Sequence, residues 1–231
     1  MKKILLPMAV FALTLSDGFA QKFRLLIGTY TTGKSEGIYV YDFETSSGSF
    51  EYLSKATGVE NPSYLAVSAD NKNLYSVNET GEGTGGVSAF AYDNKNGELT
   101  FLNRVSSGGD HPCYITVDSD KKHVFAGNYS GGSLSVLPVK SDGGLGYAIQ
   151  TIQHIGSGPN KARQEKPHVH MTMLSPDEKF LLVNDLGTDR ITIYKYNAFN
   201  EQPLTSHSSM QVKAGSGPRH LTFDPAGRHV Y

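Results

Sequence analysis

The protein has 231 residues, with 21 Lys and Arg against 22 Asp and Glu and a formal net charge of −1. That balance contains no basic block suited to nucleic acid and no acidic tail of the kind that stays disordered. Charged residues make up only 19%, Gly contributes 25 residues, and the aromatics are 13 Tyr and 11 Phe without Trp. Such a mixture fits many short strands joined by tight turns and excludes coiled coils, collagen and helical bundles.

In chain order, Lys2 and Lys3 precede an apolar run over residues 4–15, and the small residues Gly18 and Ala20 follow. A charged start, a short apolar stretch and small residues before a cut predict an export signal over residues 1–20, with a mature chain from Gln21. The competing reading is a buried N-terminal strand or helix. The run is shorter than the ~20 residues that span a bilayer, and no later segment is long and apolar enough to do so. The expectation is therefore a soluble, exported, periplasmic protein. A single cysteine, Cys113, excludes an internal disulfide framework, so stability rests on packing.

Three strands are expected first, over residues 24–30, 37–43 and 49–54. A repeat then emerges. Residues 62–70 (PSYLAVSAD) align without gaps with 112–120 (PCYITVDSD), 169–177 (VHMTMLSPD) and 218–226 (PRHLTFDPA), at spacings of 50, 57 and 49 residues. The first full period reads as strands over 64–68, 73–78, 86–92 and 98–105, with a polar turn carrying Asp70 and a second turn, DNKNG, over 93–97. Asp70, Asp120 and Asp177 recur in the same turn, which argues for capping rather than catalysis.

Four antiparallel strands per ~50 residues, repeated, mark the blades of a β-propeller. The fold class is all-β, with residues 21–231 forming one partial propeller of four-stranded blades. The first blade lacks its innermost strand. The chain finishes with an innermost-type strand over 220–224 and the opening of another strand over 228–231. A four-blade ring closed by 220–224 would leave 228–231 unpaired, so the expectation is a chain cut inside its fifth repeat.

The alignment makes Ser63, Cys113, His170 and Arg219 equivalent, so they should face one part of the central channel. Histidine and arginine suit a hydrolase by pKa and by donor geometry; the bland alternative is two solvated rim residues. A polar insertion over 158–170 (GPNKARQEKPHVH) accounts for the longer spacing, and within it Arg163 and Gln164 are candidate ligand contacts. His168 and His170 form a His-x-His pair that, with His220, offers zinc ligands, although no carboxylate or cysteine sits at a telling spacing. No Gly-x-Ser-x-Gly elbow and no phosphate-binding loop is present. Cys113 reads as a packing residue.

The segments 27–31 (IGTYT), 37–41 (GIYVY), 61–65 (NPSYL), 109–113 (GDHPC), 128–133 (NYSGGS), 167–170 (PHVH), 185–190 (DLGTDR) and 217–221 (GPRHL) resemble the seven-bladed propeller lactonases, the 6-phosphogluconolactonase type related to fungal carboxymuconate cyclase. The resemblance implies hydrolysis of a sugar lactone, with His170 and Arg219 as catalytic residues; Arg163, Gln164, His168 and His220 are the expected substrate contacts. It implies no cofactor, no metal, a small-molecule lactone as partner with neither nucleic acid nor membrane, and a monomer. It also implies a glutamate in the strand after 217–221, beyond Tyr231, and a further arginine later still. A phosphorylated substrate suits the cytoplasm, so export favours a neutral aldonolactone. The alternative from another class is a non-catalytic propeller that binds a partner or polymer at its top face.

Overall fold

The computed structural model describes residues 21–231, so the expected export signal lies outside the described residues. Among these there are 15 strands and no helix. The first sheet is β1 (Lys22–Ile27), β2 (Gly37–Glu44) and β3 (Phe50–Thr57), and the second is β4 (Leu65–Val67), β5 (Asn73–Asn78), β6 (Gly86–Asp93) and β7 (Glu98–Ser106). The third is β8 (Pro112–Val117), β9 (His123–Asn128), β10 (Ser133–Pro138) and β11 (Gln150–Gln153), and the fourth is β12 (Val169–Leu174), β13 (Phe180–Asp185), β14 (Arg190–Tyr196) and β15 (Leu204–Gln211). Each sheet is an antiparallel meander in chain order. The four-stranded blades and the three-stranded first blade are as the repeat implies.

The second strands show how sequence produces this layering. NLYSVN, HVFAGN and FLLVND are buried along almost their whole length, because each blade is covered on both faces by its neighbours. Ile38, Leu74 and Phe90 form the core between the first two sheets. Val77, Val87, Val124 and Ala126 fill the space between the second and third. Phe125, Leu134, Val169 and Leu181 do so between the third and fourth. The innermost strands meet along the axis, β8 packing against both β4 and β12.

A repeated turn sets the phase of each blade. Asn71, Lys121, Glu178 and Gly227 occupy equivalent positions, and all have left-handed φ, at 55°, 53°, 53° and 67°. Ser68 Oγ accepts from Asn73 N at 3.0 Å and Ser175 Oγ from Phe180 N at 3.1 Å, each hydroxyl donating in turn to Asp70 or Asp177 at 2.7 Å. In the third sheet the cap is Asp118, which accepts from Lys122 N and His123 N directly, at 2.7 and 3.0 Å. Asp120, expected there, does not provide it, because Asp118 fills the serine position and reaches both amides itself.

Several boundaries differ from expectation; β3, for example, runs on to Thr57, and two of the differences shape the ring. β1 stops at Ile27, and the next residue, Gly28, passes so close to the neighbouring chain that a Cβ would lie 2.0 Å from the Pro62 carbonyl oxygen. The expected strand over 220–224 is reduced to a bridge between Phe223 and Val230. Thr222 N donates to Tyr231 O at 2.9 Å, and Tyr231 N to Thr222 O at 2.8 Å. The segment thus pairs forward with 228–231 and does not close the ring on β1.

Candidate active site

The equivalent residues Ser63, Cys113, His170 and Arg219 line one cleft of about 300 Å³ at the axis, within the range of small-molecule sites. Two of them are aimed there by the backbone. The register of β8 shifts between Pro112 and Tyr114, and that of β12 between Val169 and Met171, so Cys113 and His170 are the extra residues of β-bulges. A bulge breaks strict alternation and redirects one side chain; here it turns both residues toward the channel.

A second layer of the cleft comes from the ends of the second strands. Tyr30, Glu79 and Tyr129 occupy equivalent positions and all line the cleft, whereas their fourth equivalent, Leu186, is buried away from it. The two layers are pinned together. Asn61 O accepts from Glu79 N at 3.1 Å, His111 O from Tyr129 N at 2.9 Å, and His168 O from Leu186 N at 3.0 Å.

His168 is therefore the third member of a scaffold series with Asn61 and His111. Its ring stacks on Tyr129 at 4.4 Å and 19°, with Nδ1 3.1 Å from Tyr129 O and Nε2 3.2 Å from the Glu165 carboxylate. Both ring nitrogens are engaged within the protein, and the structure places His168 behind Tyr129 rather than among the residues that line the cleft. Gln164 is likewise placed outside the cleft lining. Its Nε2 donates to Leu186 O at 2.9 Å and to Asp189 Oδ1 at 2.7 Å, while its Oε1 accepts from Asn160 N at 3.2 Å. The amide is consumed in folding the insertion, and it leaves Arg163 beside the cleft, its guanidinium 5.7 Å from the Tyr129 ring centre.

Asp189 ties this loop to the segment carrying Arg219 and His220. Besides Gln164 it accepts from Gly215 N and Gly217 N, each at 2.7 Å. His220 and His170 then meet edge to face with ring centres 5.1 Å apart. Among the described residues no three His, Cys, Asp or Glu side chains form a metal-ligand group.

The electrostatics of the cleft are divided. His170 is pushed down to about 4, first by burial and then by Arg219, His220 and Arg163, and its Nδ1 is buried without a partner. His220 is lowered too, by burial and by Arg219. Facing this cationic lobe is Glu79, whose Oε2 accepts from Tyr30 Oη at 2.7 Å and from Ser63 Oγ. Tyr30 is pushed up to about 12 by its own burial and by its bond to Glu79. Cys113 is likewise pushed up to about 12, by burial and then by Glu79, with Arg219 opposing.

Glu79, Tyr30, Tyr64 and Tyr129 were not singled out by sequence reasoning, although all line the cleft. The usable signal was the repeat itself: positions 30, 79, 129 and 186 are as regularly phased as 63, 113, 170 and 219. A neutral imidazole, two guanidiniums and one fixed carboxylate around a small polar cleft can activate a water, hold an anion and order a polar substrate.

Architecture and cleft define a β-propeller with a polar axial site. The family model described as "Lactonase, 7-bladed beta-propeller" matches residues 24–231, and the chain belongs to that family. It is 38% identical over 205 residues to a 6-phosphogluconolactonase of Bacillus subtilis, covering 89% of this chain and 57% of the relative. It is 35% identical to a 6-phosphogluconolactonase of Formosa agariphila, covering 90% of this chain and 60% of the relative. Among solved structures, a Bacteroides fragilis protein is 44% identical with a TM-score of 0.88, over 91% of this chain and 60% of that one. A periplasmic gluconolactonase of Pseudomonas aeruginosa is 38% identical with a TM-score of 0.86, over 91% of this chain and 61% of that one. The chain thus spans about 60% of the length of these relatives.

Proposed function

We propose that the cleft hydrolyses the ring ester of a sugar δ-lactone, giving the open aldonic acid. The observation that carries this reading is the convergence of His170 and Arg219 on one cleft; relatives named for lactone hydrolysis support it. Water adds to the ring carbonyl carbon while His170 takes its proton. The tetrahedral intermediate collapses, the bond from that carbon to the ring oxygen breaks, and the proton passes from His170 to the departing oxygen. Arg219 and Arg163 stabilise the developing oxyanion or hold an acidic substituent of the substrate.

The magnitudes are sufficient. General-base assistance contributes about 10²–10⁴-fold, and one well-placed oxyanion donor about 2.7–4 kcal/mol. A base held near 4 is always available at neutral pH but intrinsically weak. Negative charge arriving beside Arg219 and Arg163 offsets part of what depresses His170, so basicity rises as the transition state forms.

The charged and apolar pattern of residues 1–20 supports action outside the inner membrane, on a neutral aldonolactone rather than a phosphorylated one. The test is acid release from glucono-δ-lactone and from 6-phosphoglucono-δ-lactone, measured against spontaneous opening. Faster opening that is lost in His170→Ala is expected, with the neutral lactone preferred; opening at the spontaneous rate for both would overturn the reading.

A further inference from the structure

The cationic lobe accounts for one wall of the cleft and leaves the opposite wall without a role. Glu79 stands on that wall, at the end of β5, and is unusually well fixed. Its backbone N–H donates to Asn61 O at 3.1 Å, and its carbonyl accepts from Asn61 Nδ2 at 3.2 Å. Its Oε2 accepts from both Tyr30 Oη and Ser63 Oγ. Oε1 has no donor among the described residues. A carboxylate held this firmly, with one oxygen left free at the edge of a cleft, is an acceptor in waiting.

The chemistry of that acceptor is specific. A carboxylate with two lone-pair sites open on one oxygen binds hydroxyl donors and repels anions. Arg219 and Arg163 do the opposite on the facing wall. Cys113 lines the same cleft from the blade that follows Glu79's and precedes that of His170. We propose that Glu79 is a specificity-determining residue that accepts hydrogen bonds from the ring hydroxyls of the substrate, so that a polyhydroxylated ligand lies with its hydroxyl face on Glu79 and its acidic or carbonyl end on Arg219. The inference rests on the reading of the cleft as a sugar-lactone site, and it assigns the residue that reads the hydroxyls of such a substrate. A site built to hydrogen-bond substrate hydroxyls discriminates strongly against analogues that lack them, because its own polar group is then left unpaired.

The experiment compares glucono-δ-lactone with δ-valerolactone, which has the same ring and no hydroxyls, in the native protein, Glu79→Ala and Glu79→Gln. The expected result is a kcat/KM ratio for the two lactones that falls at least tenfold on losing the carboxylate. Equal proportional losses on both lactones, or an unchanged ratio, overturn the proposal. The same comparison by calorimetry uses the open acids gluconate and 5-hydroxypentanoate and needs no turnover. A preference for gluconate that depends on Glu79 in a protein that opens neither lactone would refute hydrolysis and keep this assignment. No preference for gluconate in the native protein would refute the assignment itself. Glu79→Gln retains the side-chain volume and the backbone bonds to Asn61, and serves if Glu79→Ala does not fold.

Discussion

His170 and His220 lie 50 positions apart in sequence, yet their rings meet edge to face at 5.1 Å across the mouth of the cleft. The contact follows from the repeat period: one blade advances the chain by about fifty residues and returns it to the axis. His170 reaches it from the bulge that opens β12, and His220 from the segment that Asp189 holds in place.

The state of His170 makes stability depend on pH in a defined direction. Its folded pKa is about 4 against an ordinary 6.5. Between those values the unfolded chain takes up a proton that the folded chain refuses, so stability is full above pH 6.5 and falls as pH drops toward 4. The single group contributes about 3 kcal/mol over that window. His123 and His220 are lowered as well, so the effect is read as a difference between proteins. Urea unfolding from pH 7.5 to 4.5 should show a shallower decline in His170→Asn than in the native protein; parallel curves would contradict the assignment.

Asp189 is 1% exposed and receives Gly215 N, Gly217 N and Gln164 Nε2, each at 2.7 Å. Asp189→Ala takes the acceptor from three N–H groups, of which Gln164 Nε2 keeps Leu186 O and Gly215 N is reachable by water, at about 1–3 kcal/mol for each one that water cannot reach. A loss of about 2–4 kcal/mol in chemical denaturation is expected. Lactone opening should weaken with it, because the acceptor that fixes Arg219 and the Arg163 loop is gone. A loss under 0.5 kcal/mol would mean that the loop holds itself.

Cys113 sits in the cleft, but its thiol is pushed up to about 12 from 9.0. The thiolate is the reactive form, and three pH units of displacement lower its share about 1,000-fold. Alkylation by iodoacetamide at pH 8, followed by mass spectrometry, should be on the order of 1,000-fold slower in the native protein than in urea. Comparable rates in the two states would place the thiol in a wetter or more cationic setting than the structure does.

Strand phasing was legible in the sequence because the blades repeat their turn chemistry. The strand expected over 73–78 is β5 residue for residue, and those expected over 86–92 and 98–105 are each one residue short of β6 and β7. The last inner strand was less legible, since its extent depends on a partner across the turn rather than on its own pattern. At the site, Ser63, Cys113, His170 and Arg219 could be aligned by register. The surroundings of His168 and Gln164 were not legible, because a polar side chain in an insertion looks the same in sequence whether it faces a ligand or, as Gln164 does, Asp189. Glu79 was missed for a further reason: its neighbours in the carboxylate network, Tyr30 and Ser63, are 49 and 16 residues away, and only the fold brings them together.

The proposed hydrolysis requires that His170 and Arg219 act together on one bound lactone. The most direct measurement is a double-mutant cycle on lactone opening with His170→Ala, Arg219→Ala and the pair. Groups that serve the same transition state are not additive. If they do, the double variant is little slower than the worse single one, and Arg219→Ala moves the acid limb of the pH–rate profile upward, since the guanidinium is one of the charges that hold His170 down. Losses that simply multiply, with an unmoved acid limb, would contradict it.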